Sequence, residues 1–200
     1  MFYNIAHPIV RFFLRLFFRL QVSGLENIPA GGVIVAPNHI GNFDPPVLGC
    51  ALPVSRRIHF MAKEELFKNP LVRWVITHLC AFPVRRGTAD RGAIRSALNL
   101  LAAGEAVGIF PEGTRSKTGQ LGKPEAGLAM IAGKAAVPVV PTAVFGTNKI
   151  LKDGHILPPI RVVFGSPLYL SPGRNDKEAL EEFNAAVMRA IARLLAGEGS

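Results

Sequence analysis

Short apolar runs alternate along the chain with segments of helical periodicity, and this alternation constrains the fold more than any other feature. Strands that alternate with helices build an α/β domain. The pattern predicts a single α/β domain with a central mixed, mostly parallel sheet flanked by helices. Asn175 and Glu178 provide a capping signal at the start of the last helix. Strands are predicted near residues 32–36, 57–61, 81–84, 105–110, 138–144 and 160–164, and helices near 45–52, 64–79, 89–103, 124–135 and 176–196.

The chain is strongly basic, with 23 Lys and Arg against 14 Asp and Glu and a formal net charge of +9. This excess indicates an anionic partner: nucleic acid, a phosphorylated metabolite or an anionic membrane surface. No RNA- or DNA-binding signature accompanies the charge, and the aromatic residues cluster near the N-terminus and are not interleaved with lysines on strands, which argues against nucleic acid. Cys50 and Cys80 lie in apolar settings without a CxxC pair, so we predict a reduced, cytosolic chain with no structural metal.

The N-terminal segment, residues 1–22, is very apolar yet carries Arg11, Arg15 and Arg19 at four-residue spacing. No small-residue cleavage site follows it, so it is not a signal peptide. A helix over residues 6–20 reaches about 22 Å, short of the roughly 30 Å hydrocarbon core, and arginines are costly inside that core. The arginines share an arc of roughly 80°, and the opposite side of the helix carries Phe13, Leu16, Phe17 and Leu20.

This geometry predicts an amphipathic membrane-interface helix over residues 1–22, followed by a globular domain over residues 23–200. The protein would then be peripheral and monotopic, at the cytoplasmic face of a membrane with an anionic surface. The alternative is a helix that packs on the body of the protein with its arginines outward, and both uses can coexist.

The stretch NHIGNFDPP follows an apolar run and places His39 five residues before Asp44. In an unbroken helix this separation leaves the two side chains about 140° apart, so they meet only across a turn, which Gly41 and Asn42 permit. A carboxylate beside the imidazole would fix its tautomer and leave the other ring nitrogen to take a proton from a hydroxyl. The structural alternative is that Asp44 caps the helix beginning at Pro45, while His39 only ends a strand.

A second polar turn, FPEGTRS, follows the apolar strand near 105–110. It exposes Glu112, Thr114 and Arg115, and Gly113 lets the backbone approach a ligand closely. Arg115 is suited to grip a phosphate through two parallel hydrogen bonds. The alternative is a surface turn with a solvated ion pair between Glu112 and Arg115. A functional site would lie where the strand ends at 36–39 and 110–115 meet, with the segment 82–87 at one side.

These two stretches, NHIGNFD and FPEGTRS, resemble the first and third signature blocks of the 1-acyl-sn-glycerol-3-phosphate acyltransferase family, part of the wider glycerolipid acyltransferases. The segments FMAKEELF (60–67) through AFPVRRG (81–87) resemble the second block, and VPVVPTAVFGT (137–147) resembles the fourth. Four blocks in the right order, over roughly residues 25–165, are far more specific than one. The resemblance implies a glycerol-3-phosphate acyltransferase-like fold, with residues 23–200 as the acyltransferase domain.

The resemblance also implies a role for each matched residue. His39 would be the general base and Asp44 its orienting partner. Lys63 and Arg86 match basic residues expected near the phosphate of the acceptor, and residues 52–95 hold nine Lys and Arg against three Asp and Glu. The acceptor-binding turn would consist of Glu112, Gly113, Thr114 and Arg115.

The chain departs from the family pattern at two positions. Gly41 stands where the family often has serine, so any hydroxyl contribution from that position is absent. Arg85 stands where the family often has an acidic residue, which adds a positive charge beside Arg86.

The implied reaction is acyl transfer from acyl carrier protein or coenzyme A to the sn-2 hydroxyl of 1-acyl-sn-glycerol 3-phosphate (lysophosphatidic acid). The product would be phosphatidic acid for phospholipid synthesis. No cofactor is implied beyond the acyl-CoA or acyl-ACP co-substrate, and no metal or covalent acyl-enzyme; no GxSxG elbow occurs in the sequence. Alternatives are transfer to glycerol 3-phosphate or another lysolipid, a non-enzymatic membrane-binding module, and a metal-dependent phosphoesterase. The phosphoesterase would use residues without the usual metal-ligand spacing: His39, Asp44, His59 and His78.

Overall fold

The computed structural model of the chain describes residues 2–85, 90–116, 118–150, 157–171 and 176–197. Helices and strands alternate along these ranges as the sequence predicts. The helices are α1 (Phe2–Phe18), α2 (Asp44–Ala51), α3 (Pro70–His78), α4 (Arg91–Ala102), α5 (Gly127–Ala135) and α6 (Lys177–Ala196). The strands are β1 (Gln21–Ser23), β2 (Val33–Pro37), β3 (Ile58–Lys63), β4 (Ala81–Val84), β5 (Ala106–Gly108), β6 (Val139–Phe145) and β7 (Arg161–Phe164).

The strands form one seven-stranded sheet in the order β1-β7-β6-β2-β5-β3-β4. At its centre, β2 pairs in parallel with β5 and β6, while β3 pairs in parallel with β5 and β4. Strand β7 is antiparallel to β6 and parallel to β1. The predicted mixed, mostly parallel sheet is confirmed. All five residues of β2 are buried, as expected for a parallel sheet covered on both faces.

Successive side chains of β2 contribute to two hydrophobic layers, because neighbouring residues of a strand point to opposite faces. Val33 and Val35 belong to the layer that contains Leu48 of α2 and Leu14 of α1. Ile34 belongs to the other layer, which is supplied by α4, α5 and α6. The continuous apolar run of β2 is therefore explained by burial on both sides of the sheet.

The structure divides the predicted helix at 64–79 into two elements. Residues Glu64–Phe67 form a 3₁₀ turn, and α3 begins only at Pro70. The Oδ1 atom of Asn69 accepts hydrogen bonds from two N–H groups in the first turn of α3, at 3.0 and 3.1 Å. Pro70 occupies the first helical position, where a missing N–H costs nothing. The prediction of one continuous helix is wrong because it overlooked this capping signal.

Two further details differ from the predictions. Strand β1 was missed, because three residues are too few to show a period. The N-terminal cap of α6 is Asp176, whose Oδ1 accepts from the N–H of Ala179 at 2.9 Å. The predicted cap residue, Asn175, is therefore wrong by one position, and it lies outside the described residues.

Helix α1 packs on α2 and at the same time exposes a broad apolar face. Tyr3, His7 and Leu14 are its buried residues. His7 Nε2 lies 3.0 Å from the carbonyl oxygen of Leu52, to which Arg11 also donates at 2.7 Å. Within the described residues, no helix is both long and apolar enough to cross a bilayer. The exposed apolar side chains of α1 include Ile5, Ile9, Phe12, Phe13, Leu16 and Phe17.

Five strands of the sheet, β2 to β6, run in the same direction and therefore end at the same edge. Residues that follow parallel strands at this edge commonly form ligand sites. Here His39 follows β2, Lys63 ends β3, Phe110 follows β5 and Thr147 follows β6. The fold thus brings together parts of all four blocks that were recognised in the sequence.

Candidate active site

His39 and Asp44 meet across the turn that joins β2 to α2. Nδ1 of His39 lies 2.7 Å from Oδ2 of Asp44, and both side chains are buried. An ionised carboxylate only accepts hydrogen bonds, so Nδ1 of the imidazole donates and Nε2 is the nitrogen that remains for a substrate. The turn required for the two side chains to meet is therefore present.

The carboxylate of Asp44 points back into this turn and does not cap its own helix. Oδ2 also accepts hydrogen bonds from the backbone N–H groups of Ile40 and Gly41, at 2.7 and 2.9 Å. Asp44 is already the first residue of α2, and the cap position before it, Phe43, makes no side-chain cap. The prediction that Asp44 caps the helix is wrong, because its hydrogen bonds orient the carboxylate towards His39.

Gly41 allows two backbone segments to pack in direct contact. A Cβ at this position would lie 2.9 Å from the carbonyl oxygen of Thr147 and 3.3 Å from the backbone nitrogen of Asn148. Real Cβ atoms are rarely closer than about 3.4 Å to such groups, so a side chain at position 41 would push the turn after β6 away. The glycine that departs from the family pattern therefore shapes the site through close packing.

Two residues near the dyad were not predicted as site residues. Asn38 joins the end of β2 to β6, since its Oδ1 accepts from the N–H of Val144 at 2.7 Å and its Nδ2 donates to the carbonyl of Val144 at 3.1 Å. Thr147 donates its hydroxyl to Oδ1 of Asp44, and both residues are buried. Both lie inside the recognised blocks and just after a strand, and this position in the sequence could have identified them as site residues.

Glu112 connects the FPEGTRS turn to the turn between β2 and α2 through backbone groups. Its Oε1 accepts from the N–H of His39 at 3.1 Å, and its Oε2 accepts from the N–H of Gly122 at 2.8 Å. The N–H of Ser116 donates to the carbonyl of His39 at 2.8 Å. The carboxylate of Glu112 thus braces the backbone at His39 and Gly122 and does not form the alternative ion pair with Arg115. A direct role for Glu112 in substrate binding stays a prediction.

Gly113 makes the tight turn that this bracing requires. Its φ of +65° is in the left-handed region, and a Cβ would lie 2.9 Å from Cγ of Glu125. Thr114 and Arg115, which follow it, are exposed. The turn therefore buries Glu112 and presents the next polar side chains at the surface.

An apolar cavity of about 520 Å³ lies beside His39. The ring of Phe110 stacks on the imidazole with centroids 3.9 Å apart, which holds the imidazole plane. A cavity of this size, lined mostly by apolar groups with a few polar ones, is typical of a ligand site. Its lining comes from α1, α2, β3 and α3, and includes Val10, Pro46, Ile58, Phe60, Ile76 and Leu79.

Predicted basic residues lie beside this cavity. Lys63 and Arg115 line it, and Lys63 Nζ is 3.3 Å from a carboxylate oxygen of Glu65 at the exposed rim. The side chain of Arg85 is 70% exposed. Its Nε lies 3.9 Å from the carboxylate of Glu64 and 3.8 Å from that of Asp90, the N-terminal cap of α4. Arg86, the predicted phosphate ligand, lies outside the described residues.

The other histidines of the described residues, and the cysteines, take no part in the dyad. His59 faces Glu105 at 3.6 Å, before β5, and His78 bonds to a carbonyl of its own helix at 2.7 Å. Burial raises the pKa of the Cys50 thiol to about 11 and also raises the pKa of Cys80, which makes both weak nucleophiles. Among the described residues, no cluster of His, Cys, Asp and Glu could hold a metal ion.

Comparison with known proteins matches this site to a family. A family model described as Acyltransferase covers residues 19–145, which include the dyad and the FPEGTRS turn. The chain belongs to the acyltransferase family. The resemblance drawn from the four ordered blocks is thereby confirmed.

Named acyltransferases are similar over most of the chain. It is 33% identical over 181 residues to the 1-acyl-sn-glycerol-3-phosphate acyltransferase of Bacillus subtilis, covering 88% of this chain and 87% of that protein. It is 32% identical over 161 residues to the chloroplastic 1-acyl-sn-glycerol-3-phosphate acyltransferase BAT2 of Brassica napus, covering 76% of this chain but only 46% of that protein.

The fold of this acyltransferase matches a solved structure. The crystal structure of the 1-acyl-sn-glycerophosphate (LPA) acyltransferase PlsC from Thermotoga maritima superposes with a TM-score of 0.68 at 29% identity. The match covers 96% of this chain and 83% of that one. The chain is thus similar in both sequence and fold to proteins of this name.

Proposed function

We propose that this acyltransferase transfers an acyl chain from a thioester to the sn-2 hydroxyl of 1-acyl-sn-glycerol 3-phosphate, forming phosphatidic acid for phospholipid synthesis. One observation carries the proposal: the buried His39–Asp44 pair adjoins an apolar cavity that Lys63 and Arg115 also line. An apolar cavity suits an acyl chain, and cations suit a phosphate. The names of the Bacillus, Brassica and Thermotoga proteins support lysophosphatidic acid as the acceptor.

In this mechanism, Nε2 of His39 takes the proton of the acceptor hydroxyl while that oxygen attacks the thioester carbonyl. The resulting tetrahedral intermediate collapses, its carbon–sulfur bond breaks, and the thiolate leaves with the proton returned from the imidazolium. Asp44 holds the imidazole and stabilises its protonated form. Because the hydroxyl attacks directly, no acyl-enzyme forms.

The cations beside the cavity would bind the acceptor's phosphate. Arg115 and Lys63 are exposed enough to reach a headgroup while their neighbours line the cavity. A guanidinium binds phosphate through two parallel hydrogen bonds, whereas lysine acts as a point charge. Arg115 is therefore assigned the orienting contact and Lys63 a supporting charge, and Arg86 is retained as a third candidate from the family pattern.

We also propose that the protein binds an anionic membrane surface, from which a lysolipid is delivered. The exposed apolar face of α1 continues onto α3, because the ring of Phe2 contacts the ring of Trp74 with centroids 4.9 Å apart. Leu71 of α3 is 71% exposed. Both helices also line the cavity, so the membrane-facing surface and the acyl site adjoin. Arg15 and Arg19 add positive charge, which favours the anionic cytoplasmic leaflet.

The proposal is tested by following phosphatidic acid formation from lysophosphatidic acid with purified protein. Separate reactions with acyl-CoA and acyl-ACP identify the donor, and reactions with glycerol 3-phosphate or a lysolipid without a terminal phosphate test the acceptor. His39→Ala should lower turnover by about 10²–10⁴-fold, the usual contribution of a positioned base. His59→Gln is the matched control, because His59 pairs with Glu105 away from the dyad. Wild-type turnover in His39→Ala would exclude this mechanism.

A further inference from the structure

We infer that Thr147 is a positioning residue of the catalytic dyad, an inference that rests on the proposed function. Its hydroxyl donates to Oδ1 of Asp44, while His39 donates to Oδ2 of the same carboxylate. Each oxygen of Asp44 therefore has a donor on a different strand connection: one after β2, the other after β6. With both oxygens engaged, the carboxylate plane cannot rotate freely about its bond to the side chain.

The protein holds Thr147 in place through several contacts. Asn38 bonds to both backbone groups of Val144, which ties the end of β6 to the end of β2. Gly146 follows with a φ of +87°, and a Cβ there would lie 2.2 Å from the carbonyl oxygen of Pro159. The chain therefore turns sharply just before Thr147. Gly41 completes the arrangement, since its missing side chain lets the Thr147 backbone approach the catalytic turn.

Thr147 is placed to orient Asp44 without contacting a substrate in the cavity. Thr147 is 2% exposed, and it is not among the described residues that line the cavity. We therefore expect it to act through Asp44 and not by contact with the substrate. Loss of its hydroxyl leaves Oδ1 of a fully buried carboxylate without its donor from the turn after β6, and Asp44 then holds the imidazole less firmly.

The expected kinetic effect is on kcat. Thr147→Val keeps the shape but removes the hydroxyl, and should lower kcat about tenfold, the size of one lost hydrogen bond to a charged group. The KM for lysophosphatidic acid should stay within about twofold, since no substrate contact is removed. Thr147→Ser restores the hydroxyl and should recover most of the kcat. If Thr147→Val does not fold, Thr147→Ala replaces it in the same comparison with Thr147→Ser.

A matched control lies on β6, the strand that precedes Thr147. Thr142 is completely buried, and its hydroxyl donates to the carbonyl of Val140 at 3.1 Å. Thr142→Val makes the same chemical change in β6 away from the dyad, and kcat should stay within about twofold. Wild-type kcat in Thr147→Val, an equal loss in Thr147→Ser, or an equal loss in Thr142→Val would overturn the inference.

A spectroscopic measurement keeps this inference separate from the proposed reaction. The proton on Nδ1 of His39, held against Asp44, should give a low-field NMR resonance that is identified by its absence in His39→Ala. Thr147→Val should shift or broaden this resonance, and Thr142→Val should leave it in place. If the wild type shows no transferase activity with any acceptor, the proposed function fails, and the resonance still decides the role of Thr147. An unchanged resonance in Thr147→Val would contradict that role.

Discussion

The backbone N–H of His39 donates to the side chain of Glu112 over 3.1 Å, which joins two turns that are 73 residues apart in sequence. The second oxygen of Glu112 accepts from the N–H of Gly122 at 2.8 Å. Glu112, which the sequence predicts to contact the substrate, thus holds the backbone of His39. The position of the imidazole therefore depends on a carboxylate in a different sequence block.

Glu112→Gln should destabilise the protein and slow the reaction together. Glutamine retains one oxygen acceptor but directs an NH₂ group at the second backbone N–H, which leaves a buried donor unsatisfied. The expected loss is about 1–3 kcal/mol in the free energy of unfolding, measured by urea denaturation. Glu26→Gln changes an exposed carboxylate away from the site and should have an effect below about 0.5 kcal/mol. Equal stability of Glu112→Gln and wild type would contradict the bracing role.

Gly41→Ala should destabilise the protein through contact and not through backbone strain. The φ of Gly41 is not in the left-handed region, but its added methyl would meet the backbone of Thr147. The expected cost is about 1–3 kcal/mol, with a fall in kcat because the Thr147 hydroxyl moves. Gly127→Ala is the matched control: it begins α5, no heavy atom would lie within 4 Å of its Cβ, and alanine favours the helix. A stability unchanged by Gly41→Ala would show that the two turns move apart without cost.

Substitutions on the exposed face of α1 test membrane binding better than truncation does. Leu14 and Leu20 belong to the hydrophobic core, so removing residues 1–20 would damage the fold. Phe12→Ser combined with Leu16→Ser changes side chains that are 61% and 58% exposed. Binding to anionic phosphatidylglycerol vesicles should weaken about tenfold or more in sedimentation assays, with little change in thermal stability. Tyr169→Ser, which alters another exposed aromatic residue, should bind as wild type does.

The same vesicle assay tests whether α3 belongs to the membrane surface. Trp74 is 48% exposed and contacts Phe2 of α1. Trp74→Ser should weaken binding by several-fold, because indole rings favour the membrane interface. Unchanged binding would confine the membrane surface to α1.

The stability of the protein should depend on pH through His7. Burial lowers the pKa of this histidine, and the charge of Arg11 lowers it further. As the pH falls below about 6.5, the unfolded chain takes up a proton more readily than the folded protein, so stability is present above that pH and declines below it. His7→Gln removes this proton linkage while keeping a donor for the carbonyl of Leu52. The loss of unfolding free energy between about pH 7.5 and about pH 5 should be smaller in this variant, and identical losses would contradict the role of His7.

Local patterns were sufficient for most of the architecture. The strands that are buried on both faces have unmistakable apolar runs, and β2, β5 and β6 lie where they were predicted. The His39–Asp44 pair was also accessible, through the resemblance of the four ordered blocks, because the local spacing alone also allowed Asp44 to cap the helix. Two local features were missed, because a single capping residue and a three-residue strand are weak signals in a sequence: the cap at Asn69 and strand β1.

The sequence by itself determined the class of fold, the family, and the two side chains that form the dyad, since all three depend on short-range spacing and on ordered motifs. Only the tertiary structure decided how that dyad is held. The hydroxyl donor of Thr147 lies 103 positions from Asp44, and the carboxylate acceptor of Glu112 lies 73 positions from His39. Gly41 acquires its role from the backbone of Thr147. Such contacts depend on how five parallel strands place their ends at one edge, and no local pattern carries that information.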